Sequence, residues 1–279
     1  FVRCIEMNLN NQFKINEYEK KFFSQNGEDG IIDYIFSKIG TTNKFSVEFG
    51  VGDGFESNTA YLLEKKNWTG LMMDYGSDDK IHVSNVLKKA WLNKNIGFQK
   101  NLKKDIKFIK KIISRNKRTK SFQFDIKNER ITAENIQNLF TKYNVPTHFD
   151  LLSIDIDSND YWVWKSLVDY FPRVVVIEYN SSIPPNESKV IPYNSESVWD
   201  GTNYFGASLL ALNNLAILKG YTLVGCDNNG INAFFCKTDL LDNYSFDSIN
   251  KLYRPPQYGE IINGKHIGHP FSNRKMLDV

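Results

Sequence analysis

The sequence predicts an α/β fold with a mostly parallel sheet and helices on both faces. The segments LLSIDI and VVVIEY are short continuous apolar runs, which are typical of strands buried on both sides. A helix-length segment joins them. The stretch Phe45–Asp74 likewise has the pattern strand, glycine turn, helix, strand. Strands that alternate with helices favour parallel pairing.

Length and composition set the outer limits of the interpretation. The chain has 279 residues, and this length permits one large α/β domain or two small ones; we expect one domain, 1–279. Because the chain begins at Phe1 rather than Met, we expect a domain excised from a longer protein. No apolar stretch is long enough to span a bilayer. Cys4, Cys226 and Cys236 lack metal-ligand spacing, which favours a reducing, cytoplasmic location.

The net charge of +3 conceals an uneven distribution of charge. Between Lys80 and Lys120, fourteen lysines and arginines accompany a single acid, Asp105, so this segment carries +13 and the remainder about −10. Its apolar residues step by three and four, which predicts a basic helical insertion over 76–120. Two interpretations stay open: a solvated surface, or a basic rim that attracts an anionic acceptor such as a phosphorylated or nucleotide-linked sugar.

The other elements follow from periodicity and turn residues. A polar lead-in, 1–21, contains a short helix near Glu17. The polar loop Ser24–Asp29 then precedes a helix over Ile31–Ile39, which Gly40 closes. After the insertion we expect, in chain order, a strand at Ser121–Ile126, a helix from Thr132, the strand LLSIDI, a helix over Tyr161–Tyr170, the strand VVVIEY, a lid-like loop over 181–203, a helix over Ala207–Lys219, a hairpin around Asn229-Gly230 and a polar tail over 240–279.

The stretch Phe45–Asp74 carries the clearest indication of a ligand. Gly50, Gly52 and Gly54 follow its first strand at every second position, and Glu48 precedes them. Glycines at a strand-to-helix turn let the backbone approach a ligand closely, and the helix N-terminus offers free N–H groups. The acid that ends the second strand can accept two ribose hydroxyls. The pattern therefore predicts a nucleoside site.

The glycine spacing narrows the choice of nucleoside. A dinucleotide fingerprint needs a third glycine where Phe55 stands, so a nicotinamide-dependent oxidoreductase is disfavoured. The arrangement instead resembles the first motif of class I S-adenosylmethionine-dependent methyltransferases. The alternative is an ordinary glycine-rich turn of an α/β protein.

Carboxylates follow two of the predicted strands. Asp155 and Asp157 end the first, Glu178 ends the second, and Asn180 comes shortly after it. Because ligands of open α/β sheets bind at the carboxyl ends of the strands, these groups are expected to converge. Carboxylates so close repel one another unless a cation lies between them, and hard oxygen ligands favour Mg²⁺, Mn²⁺ or Ca²⁺ over zinc. The alternative makes Asp157 or Asp160 a helix N-cap and gives Glu178 a lysine partner.

A set of motifs in fixed order extends the resemblance to most of the chain, from Phe22 to Lys237. Together, SQNGEDG, VEFGVGDG, LLSIDIDSNDYWVW, VVVIEYN, YFGASLLAL and KGYTLVGCDNNGINAFF resemble an FkbM-type O-methyltransferase. This resemblance implies a Rossmann-like class I methyltransferase fold with a seven-stranded sheet whose last two strands form an antiparallel hairpin. It also implies methylation of sugar, glycan or related natural-product hydroxyls, with companion domains such as glycosyltransferases.

The resemblance assigns roles to particular residues. Gly50, Gly52 and Asp53 would line the methionine and ribose of the cofactor, and Asp74 would bind the ribose hydroxyls. The expected cofactor-binding set is Gln25, Glu48, Gly50, Gly52, Asp53, Ser57, Asn58, Asp74 and Tyr75, with Gln25, Ser57 and Asn58 at the amino-acid end. The basic stretch at 76–120 departs from the family pattern, so the adenine contacts are not assigned.

The expected chemistry is an in-line displacement at a sulfonium methyl group. A sugar hydroxyl is a poor nucleophile, and a divalent cation, Mg²⁺ or Mn²⁺, held by Asp155, Glu178 and Asn180 would lower its pKa. Asp157 or Asp160 would take the proton, so Asp155, Asp157 and Asp160 form the expected catalytic set. Without a metal, a carboxylate base alone would act.

Two other functions compete with this interpretation. A cap-type 2′-O nucleic-acid methyltransferase draws on the basic segment, but the lysine-aspartate-lysine-glutamate tetrad expected of it is not recognisable, so nucleic acid is not the expected partner. A non-catalytic binding module that keeps the fold is the other. Carboxylates at three strand tips disfavour it.

Overall fold

The computed structural model of the protein describes residues 11–52, 54, 56–75 and 126–279. The predicted insertion at 76–120, residues 121–125 of the predicted third strand, and Asp53 lie outside the described residues. In this part of the chain no helix is both long and apolar enough to cross a bilayer.

Helices and strands alternate through most of the described chain. The strands are β1 Phe45–Phe49, β2 Thr69–Asp74, β3 Ile126–Asn128, β4 His148–Ile154, β5 Phe171–Glu178, β6 Lys189–Val190, β7 Tyr221–Cys226, β8 Asn232–Lys237, β9 Ile261–Ile262, β10 Lys265–His266 and β11 Leu277–Asp278. The α-helices are α1 Glu28–Ile39, α2 Ala60–Lys65, α3 Ile136–Lys142, α4 Asp160–Ser166, α5 Leu209–Leu218 and α6 Ile249–Leu252; Asn16–Tyr18 and Thr238–Leu240 form 3₁₀ turns.

A seven-stranded sheet forms the centre of the molecule, in the order β3-β2-β1-β4-β5-β8-β7. Strand β8 runs antiparallel to both neighbours, and the other pairs are parallel. The expected mostly parallel sheet with a C-terminal antiparallel hairpin is confirmed. Gly230, with φ 73°, turns the hairpin where Asn229-Gly230 predicted it.

Two hydrophobic cores cover the two faces of this sheet. Side chains of β5 alternate between them: Val174 and Val176 pack with α1 and α2, whereas Val175 and Ile177 pack with α3, α4 and α5. Burial on both sides explains why β4 and β5 are continuous apolar runs in the sequence. Helices thus lie on both faces, as expected.

The N-terminal segment is more integrated than the polar lead-in that the sequence suggested. The short helix near Glu17 forms at Asn16–Tyr18, but the preceding Phe13 and Ile15 are buried in the core on the α1 side. The Phe13 N–H donates to the carbonyl of Ser245 at 3.1 Å. Apolar burial therefore fixes this segment to the body of the protein.

Some helix boundaries agree with the sequence and others differ: α1 begins at Glu28 rather than Ile31, and the helix expected from Thr132 begins at Ile136. Gly40, with φ 70°, follows the end of α1, and Ser208 caps α5 by accepting from the Ala211 N–H at 3.2 Å. Helix α4 was expected to reach Tyr170 but ends at Ser166. The reason is Leu167, which leaves helical geometry with ψ 88° and buries its side chain in the core.

A buried carboxylate ties the start of β1 to the neighbouring strands. Asp150, in β4, accepts from the backbone N–H groups of Thr42, Asn43 and Lys44 at 2.7–3.1 Å, and Arg173 of β5 pairs with it at 3.1 Å. Asp150 is fully buried. Its removal would leave an arginine and three N–H groups without their acceptor.

We expect Asp150→Ala to lower the free energy of unfolding by about 3–5 kcal/mol, because it breaks a buried ion pair and leaves the charge of Arg173, whose side chain is only 15% exposed, without its acid. Asp33→Ala is the matched control, since Asp33 pairs with Lys66 at 2.9 Å on the surface, and its removal is expected to cost at most about 1 kcal/mol. Urea denaturation measures both. Equal losses in the two variants would contradict the role given to Asp150.

Candidate functional site

The glycine turn after β1 lies against the end of β4. Gly50 has φ 78°, and a Cβ placed on it would lie 1.3 Å from the carbonyl oxygen of Asp155. The Gly50 N–H donates to the carbonyl of Met73 in β2 at 3.1 Å, and the Asp155 N–H donates to Phe49 at 3.2 Å. Only glycine fits where three strand ends meet so closely.

Gly52 forms the open side of the same turn. It has φ 53°, and a Cβ there would meet no heavy atom of the described residues within 4 Å, so in this part of the chain its backbone borders free space. Its N–H donates to Oδ2 of Asp74 at 2.6 Å. Burial raises the pKa of Asp74, while the bond from Gly52 opposes the rise. The acid at the tip of β2 therefore faces the glycine turn, as the sequence pattern requires for a ribose site.

Glu48 supports the turn from below. Its carboxylate accepts from the backbone N–H groups of Asn58 at 2.8 Å and Thr59 at 2.9 Å, and also from the Thr59 hydroxyl. These donors immediately precede α2, so Glu48 satisfies N–H groups that the helix leaves free. Burial raises its pKa. The carboxylate lines a cavity above the turn, and its hydrogen bonds are made to the protein itself.

Two chambers lie above the turn and share part of their lining, and we call the two together the crevice. The larger has a volume of about 400 Å³ and the smaller about 270 Å³, and both are lined by Gly50, Gly52 and Asp155. The larger continues to Asp74 and Asp157. The crevice thus lies at the carboxyl ends of β1, β2 and β4, where open α/β sheets bind ligands.

The predicted cofactor-binding residues come together in this crevice. Gln25, Glu48, Ser57 and Asn58 line the smaller chamber, Asp74 and Tyr75 line the larger, and Gly50 and Gly52 line both. The ninth, Asp53, is not among the described residues. Side chains from three separate parts of the sequence therefore share one crevice.

Asp155, Asp157 and Glu178 form an acidic cluster beside the crevice. Each offers a carboxylate oxygen, and these oxygens lie within 4.8 Å of one another. Oε2 of Glu178 is buried and has no hydrogen-bond partner among the described residues. An orphaned carboxylate oxygen in a set of hard oxygen donors fits Mg²⁺ or Mn²⁺.

The carboxylates of the cluster have raised pKa values, as expected of acids that lie close together in a buried site suited to a cation. Burial, followed by repulsion from Asp157, holds the pKa of Asp155 well above its usual range. Burial, followed by repulsion from Asp155, does the same for Glu178. The crevice removes part of the hydration of Asp157 and raises its pKa, although the side chain keeps an exposed edge. A cation between these carboxylates would offset both their loss of hydration and their mutual repulsion, and would therefore lower their pKa values.

Asp160 shapes the turn that presents the cluster. Its carboxylate accepts from the Ile156 N–H at 2.9 Å and the Ser158 N–H at 3.0 Å, and burial raises its pKa to about 6. Between these donors Asp157 adopts the left-handed conformation, with φ 59°. Both oxygens of Asp160 are thus engaged with the backbone. These hydrogen bonds hold the turn that carries Asp157, and a role of Asp160 in proton removal stays a prediction.

Asn180 is likewise occupied by the protein. Its amide donates to the carbonyls of Asn203 at 2.7 Å and Phe205 at 3.0 Å, and its oxygen accepts from the Ser182 N–H at 3.2 Å. The side chain is fully buried and holds the loop that follows β5. Asp155 and Glu178, two of the expected metal ligands, lie in the cluster together with Asp157, whereas the side-chain oxygen of the third, Asn180, already accepts the Ser182 N–H.

The crevice includes residues that the sequence did not identify. Glu28 and Asn232 line the smaller chamber, where Nδ2 of Asn232 donates to Glu28 at 3.1 Å and its buried Oδ1 has no described partner. The predicted hairpin could have identified Asn232, because this residue begins β8 and pairs with Glu178, which ends β5. Trp199, in the aperiodic loop, lines the larger chamber, and the sequence gave no signal for it. The sequence likewise gave none for His269, which belongs to the tail and lies near Asp157.

Comparison with known proteins gives no relative: no protein-family model matches the chain, and no curated protein matches it.

We expect the metal-free protein to lose about 1–3 kcal/mol of unfolding free energy as the pH rises from about 4, the pKa of carboxyl groups in the unfolded chain, to about 6, the pKa of Asp160 in the folded protein. The pKa values of Asp155, Asp160 and Glu178 are raised on folding, so the folded state binds more protons. The stability that these bound protons contribute is therefore fully present below the pKa of the unfolded chain. It is lost as the pH rises through the pKa of the folded protein.

Denaturation in the presence of a chelator, at each pH, measures this loss. Asp155→Asn is expected to flatten the profile because it removes one buried charge, whereas Asp33→Ala, at the surface, leaves the slope unchanged. A slope in Asp155→Asn equal to that of the unaltered protein would refute the assignment.

Proposed function

We propose that this chain is an S-adenosylmethionine-dependent O-methyltransferase of the FkbM type, which methylates a hydroxyl of a sugar or glycan with the help of a divalent cation. One observation carries the proposal. The glycine turn, the acid at the tip of β2 and two members of the acidic cluster, Asp155 and Asp157, line the larger chamber, so a nucleoside site adjoins a site for activating a hydroxyl.

The sheet also supports this proposal. The sequence resemblance implies seven strands, the last two of which form an antiparallel hairpin, and the observed sheet has that arrangement. Fold alone does not fix function. The argument therefore rests on the crevice.

The residues of the crevice fit a nucleoside that carries an amino-acid tail. Gly52 leaves the floor free, and Asp74 lies where ribose hydroxyls would donate to it. The smaller chamber provides Gln25 and the unpartnered Oδ1 of Asn232, an acceptor suited to an ammonium group. When bound, S-adenosylmethionine supplies an activated methyl group on a sulfonium centre. The chain must hold the acceptor oxygen in line with it.

The acidic cluster provides for proton removal. Asp155 and Glu178 are the residues that would hold the cation, with one oxygen of Asp157. A bound divalent cation lowers the pKa of a coordinated hydroxyl. Asp157 keeps an exposed edge in the larger chamber, and we assign it acceptance of the hydroxyl proton. Asp160 holds the turn that aims Asp157.

Calorimetry with S-adenosylmethionine tests the cofactor assignment. Asp74→Ala is expected to weaken binding by about 1–3 kcal/mol, because charge-assisted hydrogen bonds to the ribose are lost. The exposed Asp169 provides the control, and Asp169→Ala should bind like the unaltered protein. Unchanged affinity in Asp74→Ala would refute the ribose assignment, and binding of NADH in place of S-adenosylmethionine would refute the methyltransferase itself.

Removal of divalent ions tests the second half of the proposal. With EDTA we expect turnover of nucleotide-linked or terminal sugars to stop, while calorimetric affinity for S-adenosylmethionine stays the same, because the cluster lies beside the nucleoside chamber. Mg²⁺ or Mn²⁺ in excess should restore turnover. Full activity in EDTA would leave a carboxylate base as the mechanism.

A further inference from the structure

Four aromatic rings from the loop before α5 and from the tail form a wall next to the acidic cluster. We call Trp199, Phe205, Tyr258 and His269 the aromatic wall. His269 is at its centre: its ring centroid lies 4.5 Å from that of Trp199, 5.8 Å from Phe205 and 5.2 Å from Tyr258. The contacts are tilted or edge-to-face, the arrangements that aromatic rings prefer.

The aromatic wall faces the carboxylates. Trp199 lines the larger chamber together with Asp155 and Asp157. Burial lowers the pKa of His269, and the nearby charge of Asp157 acts in the opposite direction. Burial raises the pKa of Tyr258 to about 12, and the charge of Glu178 adds to the rise. Trp199 thus borders the same chamber as two of the carboxylates, and the Coulomb effects indicate that His269 and Tyr258 lie near the acids.

The wall is held in place by contacts between the loop and the tail. The Asn203 N–H donates to the carbonyl of Pro270 at 2.9 Å, and its side chain accepts from the Ser272 N–H at 2.8 Å. The indole N–H of Trp199 donates to the carbonyl of Thr202 at 2.8 Å, so its polar group is satisfied and its ring face is left for apolar contact. Such preorganisation lowers the entropy cost of binding.

His269 has hydrogen-bonding capacity to spare. No residue in the described ranges hydrogen-bonds to its imidazole ring, although the ring is half-buried among aromatic side chains. A neutral imidazole carries one donor and one acceptor. A ligand hydroxyl next to the Trp199 ring would lie close enough to His269 to provide such a partner.

We propose that Trp199 and His269 form the acceptor subsite for an uncharged sugar ring with two adjacent hydroxyls, an inference that rests on the proposed function. The apolar C–H face of the ring packs on the indole of Trp199. One hydroxyl lies at the acidic cluster, and its neighbour hydrogen-bonds to His269. A nucleobase would also stack on an indole, but the negative charge of the cluster repels the phosphates of a nucleic acid.

Ligand-observed NMR titrations, in which one pyranoside probe competes with another, test the subsite without turnover. The protein is saturated with Mg²⁺ and S-adenosylhomocysteine, and the probes are methyl α-glucopyranoside, methyl α-mannopyranoside and methyl α-rhamnopyranoside. We expect at least one to bind, and Trp199→Ala and His269→Ala each to weaken it about tenfold or more. His269→Gln, which keeps a donor and an acceptor, should recover part of the loss.

The matched control is Phe271→Ala, two residues from His269 in the same tail, whose side chain is 80% exposed and outside the wall. It should bind the probe like the unaltered protein, and thermal melting verifies that each variant folds. Equal probe affinity in all variants, or no binding of any pyranoside to the cofactor-saturated protein, would overturn the subsite while leaving the methyltransferase proposal intact. Failure of S-adenosylhomocysteine to bind the unaltered protein would overturn both.

Discussion

The close approach of two backbones at Gly50 is the constraint on which the site depends. A Cβ at this position would overlap the carbonyl of Asp155, so the ends of β1 and β4 can meet only through a glycine. The same contact sets the distance between the turn and the acidic cluster. Any larger residue would push the two strand ends apart and separate the two chambers of the crevice.

Carboxylates at this edge fall into two groups with different partners. Glu48, Asp74 and Asp160 accept from backbone N–H groups and so stabilise the turns around the crevice. Asp155 and Glu178 lie among other acids, and their pKa values rise through burial and repulsion. Burial raises the pKa values of both groups, but hydrogen bonds oppose the rise in the first, whereas repulsion from several neighbouring acids adds to it in the second, which is typical of a site kept for chemistry.

The sequence predicted most of the framework and only part of the site. Continuous apolar runs marked β4 and β5, and their terminal acids marked the sheet edge, because strand direction determines which ends share an edge. The roles of Asp160 and Asn180 depend on hydrogen bonds to loop backbone, which no spacing rule encodes. His269 belongs to a tail without hydrophobic period, and only the folded chain brings it to the cluster.

The pairing of β11 with β6 has a consequence for how the protein is made. Translation releases all seven strands of the central sheet from the ribosome before the segment that contains Tyr258 and His269. A nascent chain would therefore complete its nucleoside crevice first and its aromatic wall last. Loss of Tyr258 and His269 would remove one side of the proposed acceptor subsite, whereas every described residue that lines the nucleoside crevice precedes them in the chain.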